Sequence, residues 1–347
     1  MNTQTSKLPI PPHFNPTKVG EVWRVLYQDI AATAETWAKQ QNIPPASLDK
    51  TRVCLLLIDV QNTFCIPGFE LFVGGQSGTA AVDDNLRLCE FIYHNLGKIT
   101  TIIPTLDTHT AMQIFHPIFW VNANGEHPTP AATNITPADI DNGIWKVNPA
   151  VANSVTNGDY ELLEKQAYHY VNQLSQEGKY PLIVWPYHSI LGGIGHALVS
   201  SVEEAIFFHC IARQSQTQFE LKGENALTEN YSILRPEVLF GFDQSPLAQK
   251  NTKLIKQLLE YDVVIIGGQA KSHCVAWTIE DLLTEIKQVD ATLANKVYLL
   301  EDCTSPVVVP GVVDYTEQAD VSFARFAEAG MHIIKSTEVI PLGDTPR

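Results

Sequence analysis

Short apolar runs recur along the chain and alternate with helical patterns. The run VCLLLI at 53–58 is continuous and ends at an aspartate, which is typical of a strand buried on both faces of a parallel sheet. Similar runs follow at 99–105, 181–185, 263–268, 297–300 and 331–334. Apolar residues at helical spacing lie between several of them, at 79–96, 195–212, 247–260, 275–287 and 316–329. This alternation predicts an α/β fold with a doubly wound, mostly parallel sheet and helices on both faces.

Two stretches interrupt this rhythm. Residues 1–50 start with a proline-rich segment and continue as a helical pattern at 17–41, which predicts an N-terminal helical extension. Residues 110–180 are rich in Asn, Thr, Pro and Ala and contain one helical pattern, at 158–176. Because the stretch is far longer than an ordinary connection, we interpret it as an insertion that covers or shapes a site. The remaining residues, with this insertion, are expected to form one domain over 51–340.

Composition narrows the classes of partner. The chain has 347 residues with 23 Lys+Arg and 38 Asp+Glu, so its net charge is −15. This balance argues against a nucleic-acid partner, because phosphate binding needs a basic surface. The uncharged run at 180–202 contains prolines and histidines, so we expect no membrane partner. The start has no apolar signal segment, and the six cysteines form no CxxC pair, which favours a cytoplasmic location.

Polar residues directly after the predicted strands are the first candidates for chemistry, since ligands of such sheets bind beyond the carboxyl ends of the strands. Asp59 follows the first strand in DVQNTF, where it is a candidate catalytic carboxylate or a turn residue. Asp107 and His109 stand in TLDTHT, His116 follows soon after, and His188 ends VWPYH. One carboxylate and three imidazoles suit a divalent transition metal, although each histidine alone is more often structural.

Cys274 is the strongest candidate nucleophile. In VVIIGGQAKSHCVAWT a strand runs into a Gly-Gly turn, and a helix is predicted to begin near the cysteine. The N–H groups of a helix start stabilise a thiolate and a developing oxyanion. The alternative is a buried structural cysteine. His273 is not expected to act as its base, because neighbouring helical residues do not face each other. Lys222, in FELKG, is either a solvated lysine or a group that lowers the pKa of a nearby thiol.

Five motifs, taken in order, resemble one family. DVQNTF, DTH, WPYH, LKG followed by YS, and GGQAKSHCVAWT are similar to segments of the nicotinamidase and isochorismatase-like cysteine hydrolases. The resemblance covers residues 51–335 apart from the insertion. It implies the isochorismatase-like hydrolase fold and a cysteine-dependent amidohydrolase, which converts a small-molecule carboxamide to an acid and ammonia through a thioester.

The same resemblance implies roles for particular residues. It gives a catalytic triad of Asp59, Lys222 and Cys274, and an oxyanion hole made of the backbone N–H groups of Ala270 and Cys274. A non-proline cis peptide is expected just before Ala270. The residues at pocket-lining positions are Phe64, Trp185 and Tyr231.

The resemblance is to the metal-binding, nicotinamidase-type branch, whose metal motif matches Asp107, His109, His116 and His188. We expect zinc there, with manganese or iron as alternatives, and the metal would orient the substrate by binding its ring nitrogen. The segment after His188 departs from the family, with Ser189 and a Gly-Gly where a cysteine and a GTPG-like turn are usual. Together with the extension and the insertion, this departure favours a substrate larger than nicotinamide or different from it.

Two other functions stay open at this point. A hydrolase of N-carbamoyl or ureido compounds from the same superfamily would keep the triad and generally lack the metal. A catalytically inactive binding protein would lack a reactive thiol. Because members of this family often form homo-oligomers, we also expect a homo-oligomer.

Overall fold

A computed structural model describes residues 7–177 and 180–340. Its strands are β1 (Val53–Ile58), β2 (Thr101–Asp107), β3 (Trp120–Val121), β4 (Asn134–Ile135), β5 (Lys146–Val147), β6 (Leu182–Ile183), β7 (Glu220–Lys222), β8 (Val263–Gly268), β9 (Val297–Leu300), β10 (Val308–Val309), β11 (Val313–Asp314) and β12 (His332–Ile334). Its α-helices are α1 (Tyr27–Gln40), α2 (Asn62–Cys65), α3 (Ala80–His94), α4 (Pro137–Asp141), α5 (Ala152–Val155), α6 (Tyr160–Glu177), α7 (Ser200–Arg213), α8 (Thr252–Glu260), α9 (Ala276–Val289) and α10 (Thr316–Glu328).

The chain divides into two compact units, each made of separate stretches of sequence. The first unit comprises the described residues up to Leu106, Leu198–Glu220, and the described residues from Lys253 onwards. The second comprises Asp107–Ala197 and Leu221–Thr252, and so contains most of the stretch predicted as an insertion. Among the described residues, no helix has both the length and the apolar character needed to span a bilayer.

A six-stranded sheet with the order β12-β9-β8-β1-β2-β7 confirms the predicted α/β fold. The pairings of β12 with β9, β9 with β8, β8 with β1 and β1 with β2 are all parallel. Strands β1 and β8 are buried along their whole length, which explains their continuous apolar sequences.

At the end of β8, Gly268 has φ +120°, and a Cβ there would lie 2.1 Å from the carbonyl oxygen of Ile58. Glycine is therefore required where these two strands lie side by side.

One strand prediction is wrong, and one strand of the central sheet was not predicted. The run at 181–185 does not join the central sheet; only Leu182–Ile183 is a strand, and it pairs antiparallel with β4. The sixth strand of the central sheet is instead β7, whose sequence ELK has no apolar pattern. A three-residue strand at the end of a sheet needs no apolar run, because it is not buried on both faces.

The N-terminal extension, described from residue 7, belongs to the core of the first unit. Its helix α1 begins at Tyr27 rather than at 17, so the first part of the helix prediction is wrong. A single 3-10 turn at Pro16–Lys18 is followed by non-helical backbone. There the N–H of Trp23 donates to Ser200 Oγ at 2.9 Å, and that hydroxyl donates back to the Trp23 carbonyl at 2.8 Å. The backbone groups of Trp23 therefore bond to a side chain of α7 rather than to neighbouring backbone groups in a helix.

The second unit has its own apolar core. Trp120, Tyr170, Phe115 and Phe119 are fully buried in it, together with the inner face of α6. The indole N–H of Trp120 donates to the carbonyl of Ile114 at 2.6 Å, so the largest side chain of this core is also hydrogen-bonded. Helix α6 matches the helix predicted at 158–176.

Candidate functional site

Asp107, the last residue of β2, is the centre of a buried cluster in the second unit. Its Oδ2 lies 2.8 Å from Nε2 of His109 and 3.3 Å from Nε2 of His188. One ligand atom from each of these three residues lies within 4.8 Å of the others. All three side chains are almost completely buried. The cluster therefore has the donor types and the spacing that a transition metal requires.

His116 belongs to the same cluster through its contacts with the other two histidine rings. Its ring centroid lies 5.9 Å from that of His109 and 5.8 Å from that of His188. Its Nε2 is buried and has no hydrogen-bond partner among the described residues. An unpartnered buried nitrogen is costly unless something binds it. His116 is thus placed to supply a fourth ligand, the third nitrogen of the set.

The orientation of the three histidine rings gives the strongest sign of a cation site. Each Nδ1 lies within hydrogen-bonding distance of a backbone carbonyl: 3.1 Å from Gly223 for His109, 2.7 Å from Pro186 for His188 and 3.1 Å from Ala111 for His116. Each Nδ1–H therefore donates to the backbone and leaves the Nε2 lone pair of a neutral ring for another partner. This is the arrangement that orients metal-binding histidines. A lone pair of His109 facing a carboxylate oxygen at 2.8 Å is stable only with a proton or a metal ion between them.

Electrostatics in the cluster follow from burial and from the neighbouring charges. Burial raises the pKa of Asp107, but the positive charges of His109 and Lys222 and its hydrogen bonds outweigh this and hold the pKa well below its usual value. Burial lowers the pKa of His109, yet the Asp107 carboxylate raises it above normal, consistent with a proton in the position a metal would take. Burial and the charges of the other two histidines lower the pKa of His116 to about 3. His116 is therefore neutral and able to bind a metal.

Lys222, at the end of β7, is tied to this cluster. Its Nζ donates to Asp107 Oδ1 at 2.6 Å and to the Asn230 carbonyl at 2.9 Å. Asp107 therefore bridges the ammonium on one oxygen and the histidines on the other. Gly223 follows with φ +87°, and a Cβ there would lie 2.5 Å from Cε1 of His109. Only glycine leaves room for the histidine ring at this point.

Two of the three predicted pocket residues meet in the second unit. The indole N–H of Trp185 donates to the hydroxyl of Tyr231 at 3.2 Å. Tyr231, Glu229 and Tyr170 line a small cavity of about 10 Å³. Burial, as the largest cause, raises the pKa of Glu229 to about 7. Sequence reasoning missed this buried acid because ENYS carries no spacing that distinguishes it from a surface glutamate.

In the first unit, Asp59 is held rigidly at the carboxyl end of β1. It is fully buried, and its φ of +47° is uncommon for a residue other than glycine. Its N–H donates to Thr105 Oγ1 at 3.1 Å, and that hydroxyl donates to Asp59 Oδ1 at 2.5 Å. Thr105, which sequence reasoning also missed, is the hydroxyl in an otherwise apolar stretch of β2 and fixes the carboxylate.

Cys274 lies in the turn that follows β8, the strand paired with β1. The peptide between Gln269 and Ala270 is cis, the geometry that the resemblance implies. A wide helical turn, Lys271–Val275, leads into α9 and carries Cys274, which is 9% exposed. Because Ile58 is paired with Gly268, Asp59 and this turn begin at the same edge of the sheet.

His273, which directly precedes Cys274 and is not expected to be its base, is buried. Burial lowers the pKa of His273 to about 3, and Nδ1 of this ring lies 2.8 Å from Ser272 Oγ. Phe64, on the short helix α2, is half-buried against the apolar core of this unit.

The predicted site residues thus fall into two groups. The first unit contains Asp59, Phe64, Ala270 and Cys274. The second unit contains Asp107, His109, His116, Trp185, His188, Lys222 and Tyr231.

Nicotinamidases and pyrazinamidases are among the solved structures that match this chain. The Acinetobacter baumanii nicotinamidase pyrazinamidase is 20% identical, with a TM-score of 0.46, over 83% of this chain and 98% of its own. The yeast nicotinamidase is 16% identical, with a TM-score of 0.45, over 81% of this chain and 99% of its own. A Pyrococcus horikoshii pyrazinamidase, solved in complex with zinc, is 16% identical, with a TM-score of 0.43, over 82% and 99%. No family model and no curated protein matches the sequence.

Proposed function

We propose that this chain is a cysteine-dependent amidohydrolase that converts a heteroaromatic carboxamide to the acid and ammonia. One observation carries the proposal. Asp59, a fixed and buried carboxylate, directly follows β1, and the turn that holds Cys274 follows the neighbouring strand β8. A nucleophile and a proton acceptor that follow two paired strands, at the carboxyl edge of a parallel sheet, are placed as covalent amide hydrolysis requires.

The proposed reaction has two halves. Asp59 takes the proton of the Cys274 thiol, and the sulfur attacks the amide carbonyl, whose oxygen becomes negative and accepts hydrogen bonds from the N–H groups of Ala270 and Cys274. The C–N bond then breaks, Asp59 returns the proton to the leaving nitrogen, and ammonia departs. Water that gives a proton to Asp59 cleaves the thioester and releases the acid and the free thiol. The family resemblance assigns Lys222 to the same triad.

The cluster around Asp107 fits a divalent metal, and we propose zinc as the first ion to test. Asp107, His109, His188 and His116 would hold it, because one ligand atom from each of the first three lies within 4.8 Å of the others and the buried Nε2 of His116 has no hydrogen-bond partner among the described residues. When bound, the metal would supply a Lewis acid for a heteroatom of the substrate ring. The protein's own part is to keep the three rings in one tautomer through the backbone carbonyls that accept their Nδ1–H groups.

Ammonia release from a panel of amides tests the function. We expect the purified protein to release ammonia from pyridine or pyrazine carboxamides, and to act poorly on amides without a ring nitrogen. The panel also contains N-carbamoyl and ureido compounds as the matched alternative. Turnover of those compounds alone, by a protein without metal, would replace this proposal with the ureido hydrolase. A protein that turns over nothing in the panel favours a binding protein.

Thiol alkylation gives a second prediction. Burial raises the pKa values of Cys54, Cys65, Cys89 and Cys303, so these thiols should react slowly in the folded protein. We therefore expect iodoacetamide below pH 8 to modify Cys274 first, as read by mass spectrometry of peptides.

Cys210 provides the matched control for this experiment. It is half-buried, and its sulfur lies 2.7 Å from the Thr217 hydroxyl. A Cys210→Ser variant should keep the fast reaction, whereas a Cys274→Ala variant should lose it. Slow modification of every cysteine would contradict an activated nucleophile.

A further inference from the structure

A buried carboxylate on α3 lies beneath the turn proposed as the oxyanion hole. Asp84 is 2% exposed, and its Oδ2 accepts a hydrogen bond from Nε2 of Gln269 at 2.9 Å. Its Oδ1 accepts one from Nη2 of Arg87 at 2.8 Å, and Ser305 also hydrogen-bonds to it. No step of the proposed reaction uses this acid.

Gln269 connects Asp84 to the peptide that precedes Ala270. Its side-chain oxygen lies 3.4 Å from the N–H of Ser305, so both ends of the amide have partners. Its own backbone N–H donates to the carbonyl of Ile58 at 2.8 Å. Gln269 is therefore fixed at its backbone and at both ends of its side chain.

Hydrogen bonds also fix the backbone on the carboxyl side of Ala270. The carbonyl of Ala270 accepts from the N–H of His273 at 2.9 Å and from that of Val275 at 3.2 Å. With the residues on both sides fixed, the direction of the Ala270 N–H is set by contacts that exist before substrate binds. Preorganised donors of this kind are what stabilises a developing oxyanion.

Packing alone does not account for Asp84. Burial raises its pKa, which shows that the surroundings penalise the charged carboxylate. An apolar side chain would fill the same space without that penalty. The feature gained in return is a carboxyl oxygen that accepts a hydrogen bond from the Gln269 amide, which an apolar side chain could not do.

We propose that Asp84 is a positioning residue, which acts through Gln269 to fix the backbone N–H of Ala270 as an oxyanion donor. This inference rests on the proposed function, because it assigns a role within the same reaction. It predicts a selective defect, in which the attack on the carbonyl slows while substrate binding and the reactivity of the thiol are kept.

Three variants test it: Asp84→Ala, Gln269→Met and the conservative Asp84→Asn. Loss of a whole oxyanion donor costs about 10²–10³ in kcat, so loosening one should lower kcat by roughly tenfold or more in Asp84→Ala and Gln269→Met. KM should change little. Asp84→Asn should recover most of the activity, since an amide oxygen still accepts from Gln269 and the partly exposed Arg87 side chain can turn to solvent.

Alkylation separates positioning from structural damage. Iodoacetamide is attacked at a carbon that forms no oxyanion, so the rate of Cys274 modification should match wild type in all three variants. The double variant Asp84→Ala/Gln269→Met should be no slower than the slower single variant, because both changes break one connection.

The control is Asp49→Ala, in another largely buried acid–base contact of the first unit. Asp49 binds Arg213, and through the Thr100 hydroxyl it supports the amino-terminal start of β1, the end opposite to Asp59. We expect its loss to lower the melting temperature at least as much as Asp84→Ala and to leave kcat unchanged.

Equal kcat losses in the two variants, slowed alkylation in Asp84→Ala, or full activity in Asp84→Ala would each overturn the inference while leaving the amidase intact. An inactive wild-type protein, or an active Cys274→Ala variant, would instead remove the proposed function and the inference with it.

Discussion

A Cys274→Ala variant is expected to fold, to keep its metal and to lose amide hydrolysis. Removal of the nucleophile of a comparable covalent hydrolase lowers kcat by about 10⁶, so we expect a fall of at least about 10⁴-fold, to the background rate. The change removes one sulfur from a turn held by backbone hydrogen bonds, so the melting temperature should stay close to that of the wild type. Ammonia release from the best carboxamide, followed under substrate saturation, gives the measurement.

Two further variants show whether the loss of activity is specific to the proposed catalytic residues. Asp59→Asn keeps the shape and the hydrogen bond from Thr105 but cannot take a proton, so it should be nearly as inactive. Cys210→Ser removes a thiol that is more exposed than that of Cys274 and should retain full activity. Normal turnover in Cys274→Ala would refute covalent catalysis by this residue.

The second large effect is expected on metal content. Wild-type protein purified without chelators should contain about one transition-metal ion per chain, and Asp107→Ala should contain almost none. The variant removes the only anionic ligand of the cluster and leaves the Lys222 ammonium without its carboxylate partner. Breaking such a buried pair typically costs about 3–5 kcal/mol, so the melting temperature should fall as well.

Because Asp107→Ala also affects Lys222, the metal assignment needs a variant that leaves the ion pair intact. His188→Ala meets this need, as its ring contacts Asp107 through Oδ2 whereas Lys222 binds Oδ1. His127→Ala is the matched control, since this histidine of the second unit binds the Trp120 carbonyl and no member of the cluster. Elemental analysis of the wild type and of these three variants tests the metal assignment. Metal in none of them, or equal metal in all of them, would show that the Asp/His cluster is structural.

The sequence was most informative where burial on both faces of a strand requires a continuous apolar run. Strands β1 and β8 are buried on both faces, so their apolar runs marked them correctly to the residue. It was least informative at β7, whose three residues form a strand because of sheet pairing rather than their own pattern. The run at 181–185 was misassigned because its apolar side chains belong to the core of the second unit rather than to the central sheet.

Candidate residues show the same division. Asp107, His109 and His188 could be predicted because their side chains follow strands or stand in short motifs, and the structure brings them together. Asp84 and Thr105 could not, because their importance comes from residues that are distant in sequence: Gln269 for Asp84 and Asp59 for Thr105. No local pattern distinguishes a buried supporting acid from one on a helix surface.

The order of strands in the sheet also bears on how the chain is made. Strand β1 lies between β2 and β8, so one of its two partners begins only at residue 263. Until the ribosome has released that segment, VCLLLI has an apolar edge without a neighbour, and such edges recruit other chains. Pairing across so long a separation is slow as well. The strand that precedes Asp59 therefore exposes a nascent chain to aggregation, and the yield of folded protein should depend on how well translation and chaperones protect it.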